Sequence, residues 1–302
     1  MSVGFIFPAF VSEYSGNEPE DIRKYSDGFD NLLDQACVHT EINLKEFVLH
    51  IRNVPDHELN AQLISYVFSC AIADLLKENN LVPQYLAGYS MGLYAALYSS
   101  SSISFVQGID LITEAYGLIN ASIPEVEMGM GSIVGLSKED ILDLLANRDG
   151  VFLANTNGKH AFLISGLKSV IQSVLNEAKL EGAIHASLMN VKSPYHSPFL
   201  NNASLLFEEF IHRQIAVKDS SVKIISSIDQ RTFIRKEEIE NELILNLNTQ
   251  INWLKTMERM LELGVSRFVE CGAGKSLYKI GKFIKRDFKI YTIISLNQLL
   301  GR

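Results

Sequence analysis

The residues best suited to chemistry are Gly88-Tyr89-Ser90-Met91-Gly92, a GxSxG pentapeptide. It lies between an apolar run that predicts a strand, Leu81–Ala87, and a stretch with helical spacing, Leu93–Ser99. Strand, sharp corner and helix in that order are what a nucleophile elbow requires. The turn is so tight that small residues must flank the serine. It lifts the hydroxyl off the C-terminal edge of the sheet and aims it at the positive end of the following helix. Ser90 is therefore read as a nucleophile. The competing reading is a glycine-rich strand–helix turn with an incidental serine.

A serine nucleophile needs a base. Of the seven histidines, His39, His50, His57, His160, His185 and His212 sit in helical or loop stretches without special neighbours and read as surface or packed side chains. His196 differs, because Ser193-Pro194-Tyr195-His196-Ser197-Pro198 brackets it with prolines that fix the backbone. Local sequence alone still reads it as a loop histidine. Cys37, Cys70 and Cys271 are far apart and form no CxxC or CxxH pair, which points to neither a disulfide framework nor a zinc site and suits a reducing compartment.

The elements that must position these residues follow from periodicity. Val3–Phe7 predicts a buried strand stopped by Pro8, and Ile22–Cys37 and Glu58–Glu78 predict helices. Phe105–Ile119 resumes helical spacing after a serine cluster. This alternation argues for an α/β protein with a largely parallel sheet. The middle has another rhythm: strand Gly129–Leu136, helix Lys138–Asn147, strands Val151–Asn155 and Ala161–Ser165 about an Asn157-Gly158 turn, helix Lys168–Leu180, strand His185–Val191. That βαββαβ order is the ferredoxin-like split unit. Residues 126–190 are thus expected to form a small subdomain inserted into a larger α/β-hydrolase-like body of 1–125 and 191–302. In the body, Leu200–Arg213, Trp253–Leu263 and Lys275–Ile284 read as helices, Val222–Ser227 and Arg267–Glu270 as strands.

Composition excludes several classes. With 35 acidic against 27 basic residues in 302, a net charge of −8, the chain lacks the basic footprint of a nucleic-acid binder or a polybasic membrane-surface protein. The N-terminus has no charged n-region, and no apolar run approaches the roughly 18–20 residues of a membrane span. A cytoplasmic protein is expected.

The chain resembles the acyltransferase family of malonyl-CoA:acyl-carrier-protein transacylases and polyketide-synthase acyltransferases, of the stand-alone kind. The resemblance is carried by Phe5-Ile6-Phe7-Pro8, the elbow Ala87–Leu97, Met130–Leu136, Asn155-Thr156-Asn157, Ser193–His196, Ile251-Asn252-Trp253 and Glu270-Cys271-Gly272-Ala273-Gly274-Lys275, in order and spacing, over nearly the whole length. It implies Ser90 as nucleophile and His196 as its base, with the histidine oriented by a main-chain carbonyl at the position of Asn246. It also implies an oxyanion hole of two backbone amides, which map to Phe10 and Met91. No metal or redox cofactor is implied. The substrate is a phosphopantetheine thioester of coenzyme A or of an acyl carrier protein, and the carrier protein is the partner. The family is often monomeric.

Departures from the family bear on the acyl group. The usual Gly-Gln-Gly-Ser-Gln after the first proline is Ala9-Phe10-Val11-Ser12-Glu13, and the elbow's usual histidine is Tyr89. Where extender-unit transferases carry an arginine that grips the malonyl carboxylate, this chain has Tyr116. The acyl pocket is expected to comprise Phe10, Tyr89, Tyr116 and Tyr195, and the acyl group to be neutral or longer rather than malonyl or methylmalonyl. Against this, Tyr116 merely packs and Lys192 supplies the cation. Near the C-terminus, Lys275, Lys279, Lys282, Arg286 and Lys289 fall three or four apart and would line one face of a continuing helix, a docking stripe for an acidic carrier protein or a plain solvated face. Transfer in polyketide or fatty-acid-like biosynthesis is expected. The alternatives are an acyl-carrier-protein hydrolase using the same serine and histidine, and a non-catalytic carrier-binding subunit.

Overall fold

Five parallel strands and one antiparallel edge strand form the main sheet. Its order is β10-β9-β1-β2-β7-β8, with β1 Ser2–Phe7, β2 Tyr85–Gly88, β7 Lys223–Ile225, β8 Thr232–Phe233, β9 Val265–Glu270 and β10 Lys289–Tyr291. In this computed structural model, residues 2–10, 14, 16–51, 57–123, 125–284 and 287–300 are described. Strand β1 is covered on both faces, which is why Val3–Phe7 reads as an unbroken apolar run. Its partner β2 runs in register with Phe7 opposite Gly88, so both central strands end at one point. The C-terminal edge of a parallel sheet is where α/β proteins place their sites.

Helices α1 Glu18–Arg23, α2 Gly28–Thr40, α3 Leu44–Leu49, α4 Glu58–Glu78, α5 Gly92–Ser99 and α6 Phe105–Ser122 pack on the first half of the chain. The expected helix over 22–37 is two, because the chain turns at Lys24–Asp27 before Gly28 starts α2. Helix α4 is as expected, and by length and composition it qualifies as a membrane span although polar residues interrupt its apolar run. Yet 89% of the qualifying window is buried, as in a core helix.

A second, wholly antiparallel sheet of order β4-β5-β3-β6 holds β3 Met128–Val134, β4 Val151–Gly158, β5 Ala161–Leu167 and β6 His185–Leu188. Helices α7 Lys138–Leu145 and α8 Lys168–Leu180 complete the ferredoxin-like βαββαβ order. This unit has its own core of Ile133, Phe162, Ile164, Ile171 and Leu175. The hairpin turn is Lys159-His160 rather than Asn157-Gly158, since Gly158 already pairs with Ala161. Asn157 is buried, and its Oδ1 accepts from Asn155 Nδ2 at 2.9 Å, a bond that a turn residue facing water would not make.

The rest of the body carries α9 Asn201–Gln214, α10 Lys236–Asn248, α11 Trp253–Glu262, α12 Ser276–Gly281 and α13 Leu296–Leu300. Helix α10 escapes the periodicity reading because Glu242 and Asn246 are buried on the same side as Ile239, Leu243 and Leu247. Edge β4 is stitched to the segment before α11 by Thr156 N–H to Ile251 O (3.2 Å) and Ile251 N–H to Ala154 O (3.1 Å). Helix α12 stops at Gly281, and Lys289 lies in β10, so the five basic residues do not share one helix.

Candidate active site

The corner between β2 and α5 depends on its glycines. A Cβ on Gly88 would sit 2.3 Å from the Leu93 nitrogen, and one on Gly92 would sit 2.1 Å from the Phe7 carbonyl oxygen. Those are backbone neighbours that cannot rotate away. Between them Ser90 adopts φ 54°, the left-handed region that a serine enters only when its surroundings impose it. The Tyr89 amide donates to Phe7 O at 2.8 Å, and Leu93 N–H closes the first helical turn on Ser90 O at 3.0 Å. Asn246 Nδ2, reaching across from α10, donates to the same Ser90 carbonyl at 3.1 Å.

The proline-bracketed loop brings His196 to this corner, with Ser90 Oγ and His196 Nε2 2.7 Å apart. The C-terminal end of α10 holds the histidine. Its backbone N–H donates to Leu247 O at 2.9 Å, and its Nδ1 lies 3.2 Å from Thr249 O. A carbonyl only accepts, so Nδ1 carries the proton and Nε2 is left to accept from the Ser90 hydroxyl. These carbonyls belong to the orphan set at a helix C-terminus, where the negative end of the dipole favours a developing imidazolium. Asn246, expected to supply the orienting carbonyl, contributes its backbone to the histidine's surroundings, but the ring's 3.2 Å partner is Thr249. His196 also has φ 58°, and it is 5% exposed. Burial pushes its pKa down to about 4, against the opposing pull of the Thr249 and Asn246 carbonyls. A neutral imidazole therefore faces Ser90 at neutral pH.

Ser90 stands between two cavities. The outer one, about 230 Å³, is lined by His196, Ala9, Phe10, Tyr89 and Tyr195, by Met130, Asn155, Asn157 and Leu163 of the small sheet, and by Ser276, Leu277 and Ile280 of α12. The inner one, about 30 Å³, is lined by Phe10, Gln62, Met91, Tyr94, Ala115, Tyr116, Ile119, Tyr195, Asn246 and Leu247. All four expected pocket residues thus border one cavity or both. Among the described residues no lysine or arginine lines either cavity, and exposed Lys192 borders neither. The Phe10 and Met91 amides have no backbone hydrogen-bond partner among the described residues.

The walls are held by polar contacts. Tyr89 OH accepts from Asn155 Nδ2 at 2.6 Å, its ring meets Trp253 edge-on at 5.3 Å, and burial raises its hydroxyl to about 12. Tyr195 OH donates to Glu58 Oε1 at 2.6 Å and accepts from Gln62 Nε2 at 2.9 Å. Glu270 accepts from the Leu277 and Tyr278 amides at the start of α12, and burial lifts its carboxyl to about 7 despite those donors. Sequence reasoning missed Glu58, Gln62 and Thr249. Glu58 and Gln62 stand four apart on α4, a spacing that was legible, whereas a carbonyl partner leaves no trace in side-chain identity.

Among the described residues no cluster of three or more His, Cys, Asp or Glu could hold a metal ion. Lys275, Lys279, Lys282 and Lys289 are exposed, and Lys275 and Lys289 border one surface groove. Arg286 lies outside the described residues.

A family model described as "Acyl transferase domain" matches residues 53–273. The malonyl CoA-acyl carrier protein transacylase of Bacillus subtilis is 26% identical over 297 residues, covering 96% of this chain and 93% of that one. The structure of the malonyl CoA-acyl carrier protein transacylase of Coxiella burnetii superposes with a TM-score of 0.90 at 26% identity, covering 100% of this chain and 96% of that one. A type II PKS acyl-carrier protein in complex with its malonyl-transacylase shares the fold at a TM-score of 0.89 and 22% identity, covering 100% and 99%.

Proposed function

The chain belongs to the acyl transferase domain family, and from that premise we propose that it moves an acyl group without a carboxylate through an acyl-Ser90 intermediate. The donor is a coenzyme A or carrier-protein thioester, and the acceptor is the phosphopantetheine thiol of an acyl carrier protein, in fatty-acid or polyketide biosynthesis. The observation that carries this reading is the 2.7 Å contact between Ser90 Oγ and a neutral, carbonyl-anchored His196.

The steps follow from those positions. His196 Nε2 takes the Ser90 proton while Oγ attacks the thioester carbonyl. The tetrahedral oxyanion meets the Phe10 and Met91 amides, whose lack of backbone partners among the described residues leaves them available. The C–S bond breaks, and His196 returns the proton to the departing sulfur. In the second half the carrier thiol gives its proton to His196, its sulfur attacks the acyl-serine, and Oγ leaves with that proton.

The acyl class rests on charge. A malonyl carboxylate buried in either cavity would find no lysine or arginine among the described residues, and an unpaired buried charge is costly. The curated relatives are named as malonyl CoA-acyl carrier protein transacylases, and the resemblance implies that Tyr116 stands where extender-unit transferases carry an arginine. The segment 126–190, with its separate sheet and core, is read as the inserted small subdomain, and its Met130, Asn155, Asn157 and Leu163 line the cavity beside Ser90. Lys275 and Lys289, on one groove beside α12, are the proposed contact for the acidic carrier.

The test is intact-mass analysis after incubation with acetyl- and malonyl-CoA. An acetyl adduct that disappears in Ser90→Ala supports the reading. A faster malonyl adduct overturns the acyl class, and no adduct from any acyl thioester overturns the enzyme reading.

A further inference from the structure

The two cavities meeting at Ser90 cannot serve the same part of the substrate. His196 borders the outer cavity and not the inner one. In both half-reactions the sulfur exchanges its proton with His196 Nε2, so sulfur and its pantetheine arm must lie on the histidine side, in the outer cavity. The acyl carbons project from the tetrahedral centre away from the sulfur. That direction leads past Met91 into the inner cavity, whose volume is about 30 Å³. On the scale on which one water takes roughly 10–15 Å³, this is room for about two methyl-sized groups.

We infer that the inner cavity is a chain-length sieve that admits acetyl and propionyl groups and rejects longer acyl chains. The inference rests on the Ser90–His196 reading above. It also decides between the neutral short group and the longer chain that the sequence left open.

Three tyrosines line the sieve, Tyr94, Tyr116 and Tyr195, and the last two differ in how they are held. Tyr195 is clasped from α4: its hydroxyl donates to Glu58 Oε1 at 2.6 Å and accepts from Gln62 Nε2 at 2.9 Å. Glu58 Oε2 is also 3.4 Å from the Lys192 amide, so the loop carrying His196 is tied to the first turn of α4 at Lys192 as well as at Tyr195. Withdrawing that ring means breaking the clasp. The clasp also sets a carboxylate behind the wall, which opposes entry of a second carboxylate from a dicarboxylic acyl group. Tyr116 lies on α6 and is half-buried, with no hydrogen bond among the described residues, so it closes the cavity by bulk alone. Removing its ring enlarges the cavity and leaves the clasp intact.

The experiment measures Ser90 acylation by intact mass with acetyl-, propionyl-, butyryl-, hexanoyl- and malonyl-CoA, comparing rates within each protein so that the active fraction cancels. Each excess methylene should cost about tenfold or more. Wild type is expected to take acetyl and propionyl at similar rates, butyryl about tenfold more slowly, and hexanoyl more than about a hundredfold more slowly. Tyr116→Ala should raise the hexanoyl-to-acetyl ratio by about tenfold or more, while Tyr116→Phe, which keeps the bulk, should leave it unchanged. A wild-type hexanoyl rate equal to acetyl, or a ratio unmoved by Tyr116→Ala, overturns the sieve and leaves Ser90 acylation standing. Malonyl as the fastest donor overturns the acyl class and the sieve together, whereas no adduct from any donor overturns the Ser90–His196 reading on which both rest.

Discussion

Lowering the pH should leave acylation running well past the point at which an ordinary histidine base fails. Burial pushes His196 down to about 4, although the Thr249 and Asn246 carbonyls favour its protonated form. An unperturbed histidine with a pKa of about 6.5 would be only about 10% neutral at about pH 5.5. With a pKa of about 4, His196 is still more than about 90% neutral there. The two cases differ about tenfold in the fraction of competent base. The assay is the second-order rate of Ser90 acylation by an acetyl thioester between about pH 4 and pH 8, which reports the free enzyme's base. The rate should be flat down to about pH 5 and fall to half near pH 4, in protein whose circular dichroism stays native over that range. A half-fall near pH 6.5 in folded protein would refute the reasoning, because it would mean the imidazole is as well solvated as one in water.

Four further outcomes follow from the same contacts. Gly92→Ala places a Cβ 2.1 Å from Phe7 O and 2.7 Å from Pro8 O; it should cost about 1–3 kcal/mol or more in thermal unfolding, and an unchanged melting temperature would contradict the close approach. Thr249→Ala keeps the carbonyl that faces His196 Nδ1, so acylation should stay within about twofold of wild type, and a collapse would show that the side chain matters instead. Glu270 is held neutral by burial up to about 7, so wild type loses stability as pH rises through its window of about 4.5 to 7, by about 3 kcal/mol; urea unfolding of Glu270→Gln should lack that component, gaining on wild type from about pH 5 to pH 7.5. Reversing Lys275 and Lys289 to glutamate should slow transfer to a holo-carrier protein about tenfold at low salt while leaving acylation by an uncharged acyl-pantetheine unchanged, with equal rates on the carrier arguing against that groove.

Much of this was legible because the elbow is a local device. Strand, two glycines, serine and helix are contiguous, and the spacing of Glu58–Glu78 or Lys168–Leu180 names its helix almost to the residue. What was hidden is what acts through the backbone or across distance. The Thr249 carbonyl would face His196 whatever side chain the residue carried. Helix α10, which Thr249 caps at its C-terminus, buries polar Glu242 and Asn246 among its apolar residues and so blurs its own periodicity. The basic stripe misled because residues three or four apart share a face only while a helix lasts, and α12 ends at Gly281. Tyr116 was legible as an expected pocket residue, but the space it borders is defined by packed neighbours on α4, α6 and the His196 loop.

Acyl-Ser90 is proposed to hand its group to a thiol rather than to water. The direct measurement is a single-turnover chase. The protein is acetylated on Ser90, freed of donor, and split between buffer and buffer containing a holo-acyl carrier protein, with both the enzyme adduct and the carrier followed by intact mass. The expected result is an adduct that persists in buffer and moves onto the carrier's phosphopantetheine thiol when the carrier is present. Free acetate released at the same rate with or without carrier would contradict it.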